Sequence, residues 1–62
     1  MPSYISLHKA VKVGDVERVK NIVITGAELS QKNIYGRTPL AMAVQLGRTE
    51  IAAILKKSGG RL

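Results

Sequence analysis

The feature that most constrains this chain is an internal duplication with a period of 33 residues. Seven pairs of identical residues superimpose at that period, namely Leu7/Leu40, Ala10/Ala43, Val11/Val44, Gly14/Gly47, Glu17/Glu50, Gly26/Gly59 and Leu29/Leu62. A fixed period of this length is typical of repeat architectures, in which neighbouring copies bury a common core. The sequence therefore predicts one domain made of two copies of a structural unit, at about residues 4–32 and 33–62.

Start and stop residues divide the second copy into two short helices. Thr38 can cap the first free amides of a helix, and Pro39 suits the first helical position. We expect a helix from there to about Leu46, a break at Gly47, and a second helix that runs from just after the break to Lys57.

The first copy follows the same plan. It predicts a helix over Ser6–Val13 and a second helix that Asp15 caps and that ends at about Thr25. The segment 27–37 between the copies contains the turn-prone sequence Asn33–Gly36, which predicts a short, hairpin-like connection. The fold class predicted by these patterns is all-α.

The residues of the second copy resemble the ankyrin repeat pattern, through Gly36–Leu40, Ala43–Val44, Gly47, Glu50–Ile51, Ile54–Leu55 and Gly59. Ala41 stands where the family usually has histidine, whereas His8 occupies that position in the first copy. Tyr4–Ser6 replaces the Arg-Thr-Pro run, which resembles an N-terminal repeat. The resemblance implies an ankyrin-like solenoid of two helix-turn-helix repeats.

The outward faces of the two copies carry polar substitutions. Arg18 and Asn21 of the first copy align with isoleucines of the second, and Lys56 and Lys57 align with aliphatic residues of the first. Terminal units of repeat arrays need polar outer surfaces. We therefore expect a complete array with two capped ends, and the alternative is a fragment of a longer ankyrin array.

The core of this chain must be small. A 62-residue chain buries only about 60% of its unfolded surface, and this one has no cysteine for a disulfide and only two aromatic residues. Repeat domains normally need three or more units for stability. We therefore expect a homodimer, with a marginal monomer as the alternative.

Catalytic and cofactor sites are not indicated. His8 has no second histidine or cysteine for a metal site, and the resemblance implies that it bonds neighbouring backbone. No glycine-rich phosphate loop is present. Each acidic residue has a structural interpretation as a helix cap, a first-turn residue or a solvated loop residue, for Asp15, Glu17, Glu28 and Glu50. We expect no enzyme activity, no cofactor and no bound metal.

The charge and hydropathy pattern limits which classes of partner and which cellular location fit this chain. Ten Lys and Arg against four Asp and Glu give a net charge of +6, which favours an anionic partner. A small nucleic-acid-binding protein is the rival interpretation, although no recognition helix or stacking aromatic is evident beyond Tyr35. The longest uncharged stretch, Thr38–Gly47, is too short to span a membrane, and no secretory signal is evident. We expect a cytoplasmic protein with no membrane partner.

Protein binding is the function that the resemblance implies, because ankyrin arrays bind partners through loop tips and the concave face of their first helices. The matching positions are Asn33, Ile34, Tyr35 and Arg37 at the tip, Gln45 and Leu46 on the later inner helix, Lys12 and Val13 on the earlier one, and Tyr4 as the counterpart of Arg37. The competing interpretations are that Tyr35 packs on its own loop, that Ile34 is buried, and that Leu46 is partly core. We expect a non-catalytic module for an acidic protein partner, with a designed scaffold as a further alternative.

Overall fold

The computed structural model describes residues 6–26 and 28–62. Within these ranges the chain forms four α-helices and no strand: α1 is Leu7–Val13, α2 is Val16–Ile24, α3 is Pro39–Gln45 and α4 is Thr49–Lys57. The prediction of an all-helical, ankyrin-like fold is confirmed. We refer to α1 and α2 as the first helix pair and to α3 and α4 as the second.

The helices begin and end where the local chemistry predicts, to within one residue. Ser6, expected inside a helix, is the N-cap of α1, while Thr25 and Leu46 are the C-caps of α2 and α3. Side-chain oxygens cap three helices through bonds from Lys9 N to Ser6 Oγ (3.2 Å), from Arg18 N to Asp15 Oδ1 (3.1 Å) and from Ala41 N to Thr38 Oγ1 (3.2 Å). These bonds satisfy amides that have no partner within the helix.

The core lies where the two helix pairs meet. Helix α1 packs against α3, and α2 packs against α4. The buried hydrophobic side chains are all aliphatic, namely Leu7, Ala10, Val11, Val19, Leu40, Ala43, Ile51 and Leu55. Burying each larger side chain among them stabilises the fold by roughly 1.5–3 kcal/mol relative to leaving it exposed. The position of this core makes each helix pair dependent on the other.

Side-chain hydrogen bonds of His8 and Glu28 join segments that are distant in sequence. His8 Nε2 donates to the carbonyl oxygen of Arg37 over 2.8 Å, which gives this histidine a structural role between the two helix pairs. Glu28 Oε1 accepts from the amide of Leu7 over 3.1 Å. The prediction that Glu28 is only a solvated loop residue is therefore wrong. Leu7 opens α1, so its amide lacks a partner within the helix, and the carboxylate supplies one.

Another long-range bond comes from the residue that precedes α4. The guanidinium of Arg48 donates from Nη2 to the carbonyl oxygen of Lys12 over 2.8 Å. Its Nη1 and Cζ atoms also lie 3.2 Å from where a Cβ would stand on Gly14. Gly14 ends α1 with φ of 81°, in the left-handed region that glycine adopts without strain. The bare glycine therefore allows the arginine to cover the end of α1.

Candidate protein-binding groove

The loop tip before α3 is organised by Asn33. Its side-chain Oδ1 accepts from the amides of Tyr35 (2.9 Å) and Arg37 (3.0 Å), and its own amide donates to the carbonyl of Arg37 (2.9 Å). The amide of Gly36 closes the turn on the carbonyl of Asn33 over 2.9 Å. These bonds fix the backbone from which the tip side chains project, so little conformational entropy remains to be lost there on binding.

The tip presents its large side chains to solvent. Ile34 is 90% exposed and Tyr35 is 72% exposed, so neither is buried under the following helix. The guanidinium carbon of Arg37 lies 5.6 Å from the centroid of the Tyr35 ring, which is within cation–π distance. This contact holds an exposed aromatic ring beside a cation, and tyrosine and arginine are both enriched among residues that dominate binding interfaces.

A groove of about 420 Å³ opens between this loop and the helices. We call it the tip groove, and its lining residues are Lys12, Asn33, Tyr35, Arg37, Met42, Gln45 and Leu46. Six of the nine residues predicted from the sequence are thus brought together. Ile34 projects from the tip and Val13 is exposed at the end of α1, but neither is part of the lining. Tyr4 lies outside the described residues.

Met42 is the one lining residue that the sequence analysis did not identify. It lies on α3, three residues before Gln45 and four before Leu46. Residues at these spacings are neighbours on a helix surface. The helical period, applied backwards from the two predicted residues, is the signal that would have found it.

The tip groove combines positive charge with apolar surface. Lys12 and Arg37 are cations, and no carboxylate of the described residues lines the groove. Tyr35, Met42 and Leu46 supply the apolar part, and Leu46 is an exposed C-cap residue rather than a core residue. Such an arrangement can accept a carboxylate next to an apolar side chain.

Within 6–26 and 28–62, no cluster of three His, Cys, Asp or Glu is placed to hold a metal ion. No helix in these two ranges combines the length and hydropathy that crossing a membrane requires.

Sequence comparison identifies relatives of this chain. It is 41% identical over 54 residues to ankyrin repeat domain-containing protein 13C of Mus musculus, a match that covers 87% of this chain and 10% of the relative. The same protein of Homo sapiens is 39% identical over 54 residues, with the same coverage of each chain. The 2-5A-dependent ribonuclease of Mus musculus is 44% identical over 55 residues, which cover 87% of this chain and 8% of the relative.

No family model and no solved structure matches the chain. The chain spans about a tenth of the length of the curated relatives that it matches, so the match concerns their repeat sequence and not their whole activity. The ribonuclease activity in one relative's name belongs to that protein. By sequence and by its two helix-turn-helix units, this chain is related to the ankyrin repeat proteins.

Proposed function

We propose that this chain is a non-catalytic protein-interaction module that binds its partner in the tip groove. The observation that carries the proposal is the convergence of Tyr35, Arg37, Lys12 and three further predicted residues on one groove. Their helices and loop are otherwise held by core contacts and by the bonds of Asn33 and His8. The lining side chains of Tyr35 and Leu46 are exposed, so they are free to contact another molecule.

The chemistry of the groove defines the partner that we propose. Lys12 and Arg37 favour an Asp or Glu of the partner, and Tyr35, Met42 and Leu46 favour an adjacent apolar side chain. The groove is small compared with a standard protein interface, so it suits a short segment bound with modest affinity. The net charge of +6 would speed the encounter with an acidic partner and make binding weaken as salt is added.

Homodimerisation, expected from the short chain, stays a prediction. Light scattering over a concentration series tests it, and a mass that remains that of one chain would contradict it. The cytoplasmic location also stays a prediction.

Peptide selection tests the proposed function directly. A phage-displayed library of random 12-residue peptides is selected on the immobilised chain, and the enriched peptides are synthesised and titrated. We expect them to contain Asp or Glu beside an apolar residue. Tyr35→Ala and Arg37→Ala should each weaken their binding by about tenfold or more, because each removes an anchor of the groove.

Two control variants separate a local effect from a general one. Ile24→Ala removes an exposed apolar side chain of α2, and Lys57→Ala removes an exposed charge of α4, and neither residue lines the tip groove. Both should change affinity by less than about twofold. If the Tyr35→Ala and Arg37→Ala variants bind the selected peptides as tightly as the unmodified chain does, the proposal is wrong. If these variants instead lose only the binding of a random-sequence single-stranded DNA, the nucleic-acid interpretation is correct.

A further inference from the structure

Both cations of the tip groove have their backbone held from the opposite helix pair. Lys12 lies on α1, and its carbonyl oxygen accepts from Nη2 of Arg48, the residue before α4, over 2.8 Å. Arg37 lies before α3, and its carbonyl oxygen bonds to Nε2 of His8 on α1 over 2.8 Å. The two bonds cross between the copies in opposite directions. They therefore fix the backbone of Lys12 relative to that of Arg37, which lowers the entropic cost of bringing both cations onto one anion.

Neither of these cations is neutralised within the described residues. The ion pairs in that part of the chain belong to α2 and its N-cap, and they involve neither Lys12 nor Arg37. The carboxylate of Glu28 accepts from the amide of Leu7. The tip groove thus has two positive charges in its lining and no counter-charge from the described residues.

The guanidinium of Arg37 keeps its donors available. Its carbon lies over the Tyr35 ring at 5.6 Å from the centroid, a contact that uses the charge and not the N–H groups. A guanidinium presents its N–H groups as a planar fork, which binds phosphate or carboxylate oxygens through two parallel hydrogen bonds. The exposed tyrosine ring therefore supports the cation and leaves its hydrogen bonds for a ligand.

Asn33 adds a donor and not an acceptor. Its Oδ1 already accepts from the amides of Tyr35 (2.9 Å) and Arg37 (3.0 Å). Both lone pairs are in use, so the group left for a ligand is the Nδ2 amino group. Every polar side chain of the lining can thus donate a hydrogen bond to an anion, since lysine, arginine, tyrosine, asparagine and glutamine all carry donors.

The charge and the donors of the groove match a dianion better than a carboxylate. One carboxylate carries a single negative charge, so it would leave either Lys12 or Arg37 unpaired. A phosphorylated serine or threonine carries roughly −1.5 to −2 charges near pH 7 and three strong acceptor oxygens. One phosphoryl group can therefore engage both cations and still accept from Asn33.

The remaining lining favours a peptide over a nucleic acid as the carrier of the phosphate. Met42 and Leu46 form an apolar part of the same groove, which suits the side chain of a neighbouring residue. Binding of single-stranded nucleic acid normally combines a positive groove that follows the backbone with several stacking aromatic rings. Tyr35 is the one aromatic residue in this lining, and the two cations converge on one place.

We propose that the tip groove recognises a phosphorylated serine or threonine of the partner, with the phosphoryl group between Lys12 and Arg37 and an apolar neighbour against Met42 and Leu46. This inference rests on the proposed function and names the chemical group that the partner presents. The lining lies entirely within residues 12–46 and shares no residue with the outward faces at Arg18 and Lys56. The site therefore does not depend on what adjoins either end of the sequence.

Matched peptide arrays test the proposal. Three arrays contain the same short random sequences and differ only at the central residue, which is phosphoserine, Glu or Ser. The sequence that is captured most tightly in any array is synthesised in all three forms and titrated into the whole chain by fluorescence anisotropy. We expect the phosphoserine form to bind at least about tenfold more tightly than the Glu form, and the Ser form to bind most weakly.

Two lysines of α1 provide the matched variants. Lys12→Gln should weaken the phosphoserine form by about tenfold or more and the Glu form by less than about threefold, because Arg37 alone still pairs a single charge. Lys9→Gln makes the same change at an exposed position of the same helix, outside the groove lining, and should alter either affinity by less than about twofold. Arg48 bonds the backbone carbonyl of Lys12, so exchange of that side chain leaves this bond in place. Circular dichroism checks that both variants keep their helicity.

The outcomes separate this proposal from the proposed function. Equal binding of the phosphoserine and Glu forms, or equal effects of the Lys9 and Lys12 variants on the phosphoserine form, would overturn the phosphoryl site and leave a binder of acidic peptides. Absence of binding in all three arrays would overturn both. If random-sequence single-stranded DNA displaces the phosphoserine form and is itself weakened by Lys12→Gln, the recognised phosphate belongs to a nucleic acid and the proposal is wrong.

Discussion

The two helix pairs share a sequence pattern but have different surroundings, and Val11 and Val44 show this most clearly. They are the same residue type at the same position of the repeat, yet Val11 is 0% exposed and Val44 is 57% exposed. The second helix pair covers α1, whereas the equivalent face of α3 lines an open groove. The repeat pattern thus sets which residues face along the stack, and the neighbouring unit determines whether they are buried.

The helix ends show the same difference in their backbone. Gly14 and Gly47 have φ angles of 81° and 72°, both in the left-handed region. The guanidinium of Arg48 lies over Gly14, while nothing lies within 4 Å of a Cβ built on Gly47. Gly14 therefore both allows the left-handed backbone and leaves room for the Arg48 side chain, whereas Gly47 only allows the left-handed backbone.

The largest expected effect comes from placing the same charge on each valine. Val11→Asp would put a carboxylate in the core without a partner, and should cost more than about 3 kcal/mol, enough to unfold a domain of this size. Val44→Asp lies at an exposed site and should cost less than about 1 kcal/mol, mostly through helix propensity. Circular dichroism and urea unfolding measure both. Loss of helix in both variants would mean that Val44 is covered in solution.

A smaller effect is expected from alanine at the two glycines. Each substitution forces alanine into the left-handed region, at roughly 1–2 kcal/mol. Gly14→Ala should lower the free energy of unfolding by about 1 kcal/mol more than Gly47→Ala does. The reason is that the added Cβ would press on the Arg48 guanidinium and disturb its hydrogen bond to Lys12.

A double-mutant cycle isolates that additional cost. In an Arg48→Ala background the two glycine variants should become equally destabilising, as measured by the free energy of unfolding in urea. A difference that persists without the arginine would show that the two helix ends differ for another reason.

The sequence predicts the helices well because each boundary depends on residues next to it. Thr38, Asp15 and the glycines act within three or four positions of the helix ends. The bonds of His8 to Arg37 and of Glu28 to Leu7 join residues 29 and 21 positions apart. No local pattern reveals such contacts, so the sequence alone predicts a solvated Glu28.

Two grooves of the molecule differ in how far the sequence predicts them. The resemblance to ankyrin repeats points to six of the residues that line the tip groove, and two of them, Lys12 and Gln45, lie one period apart. The sequence does not predict the apolar groove along α3 and α4 that Val44, Lys56 and Leu62 line, because it predicts that Lys56 and Lys57 together form a polar cover for this face. In the structure only Lys56 lines that face, among alanines and Val44 that remain apolar. A pair of adjacent residues on a helix points in two directions, so it cannot cover one surface.

The smallest expected effect concerns the segment that follows each helix pair. Glu28 and Arg61 occupy equivalent positions of the repeat, and each accepts a hydrogen bond from the start of a helix. Glu28 accepts with its carboxylate at the start of α1, whereas Arg61 accepts with its backbone carbonyl at the start of α3. Glu28→Ala should therefore cost about 0.5–1.5 kcal/mol, and Arg61→Ala less than about 0.5 kcal/mol. Glu28→Gln keeps an acceptor for the Leu7 amide and should recover most of the loss in urea unfolding. If glutamine is as destabilising as alanine, the negative charge at the start of α1 matters more than the hydrogen bond, as expected from the helix dipole.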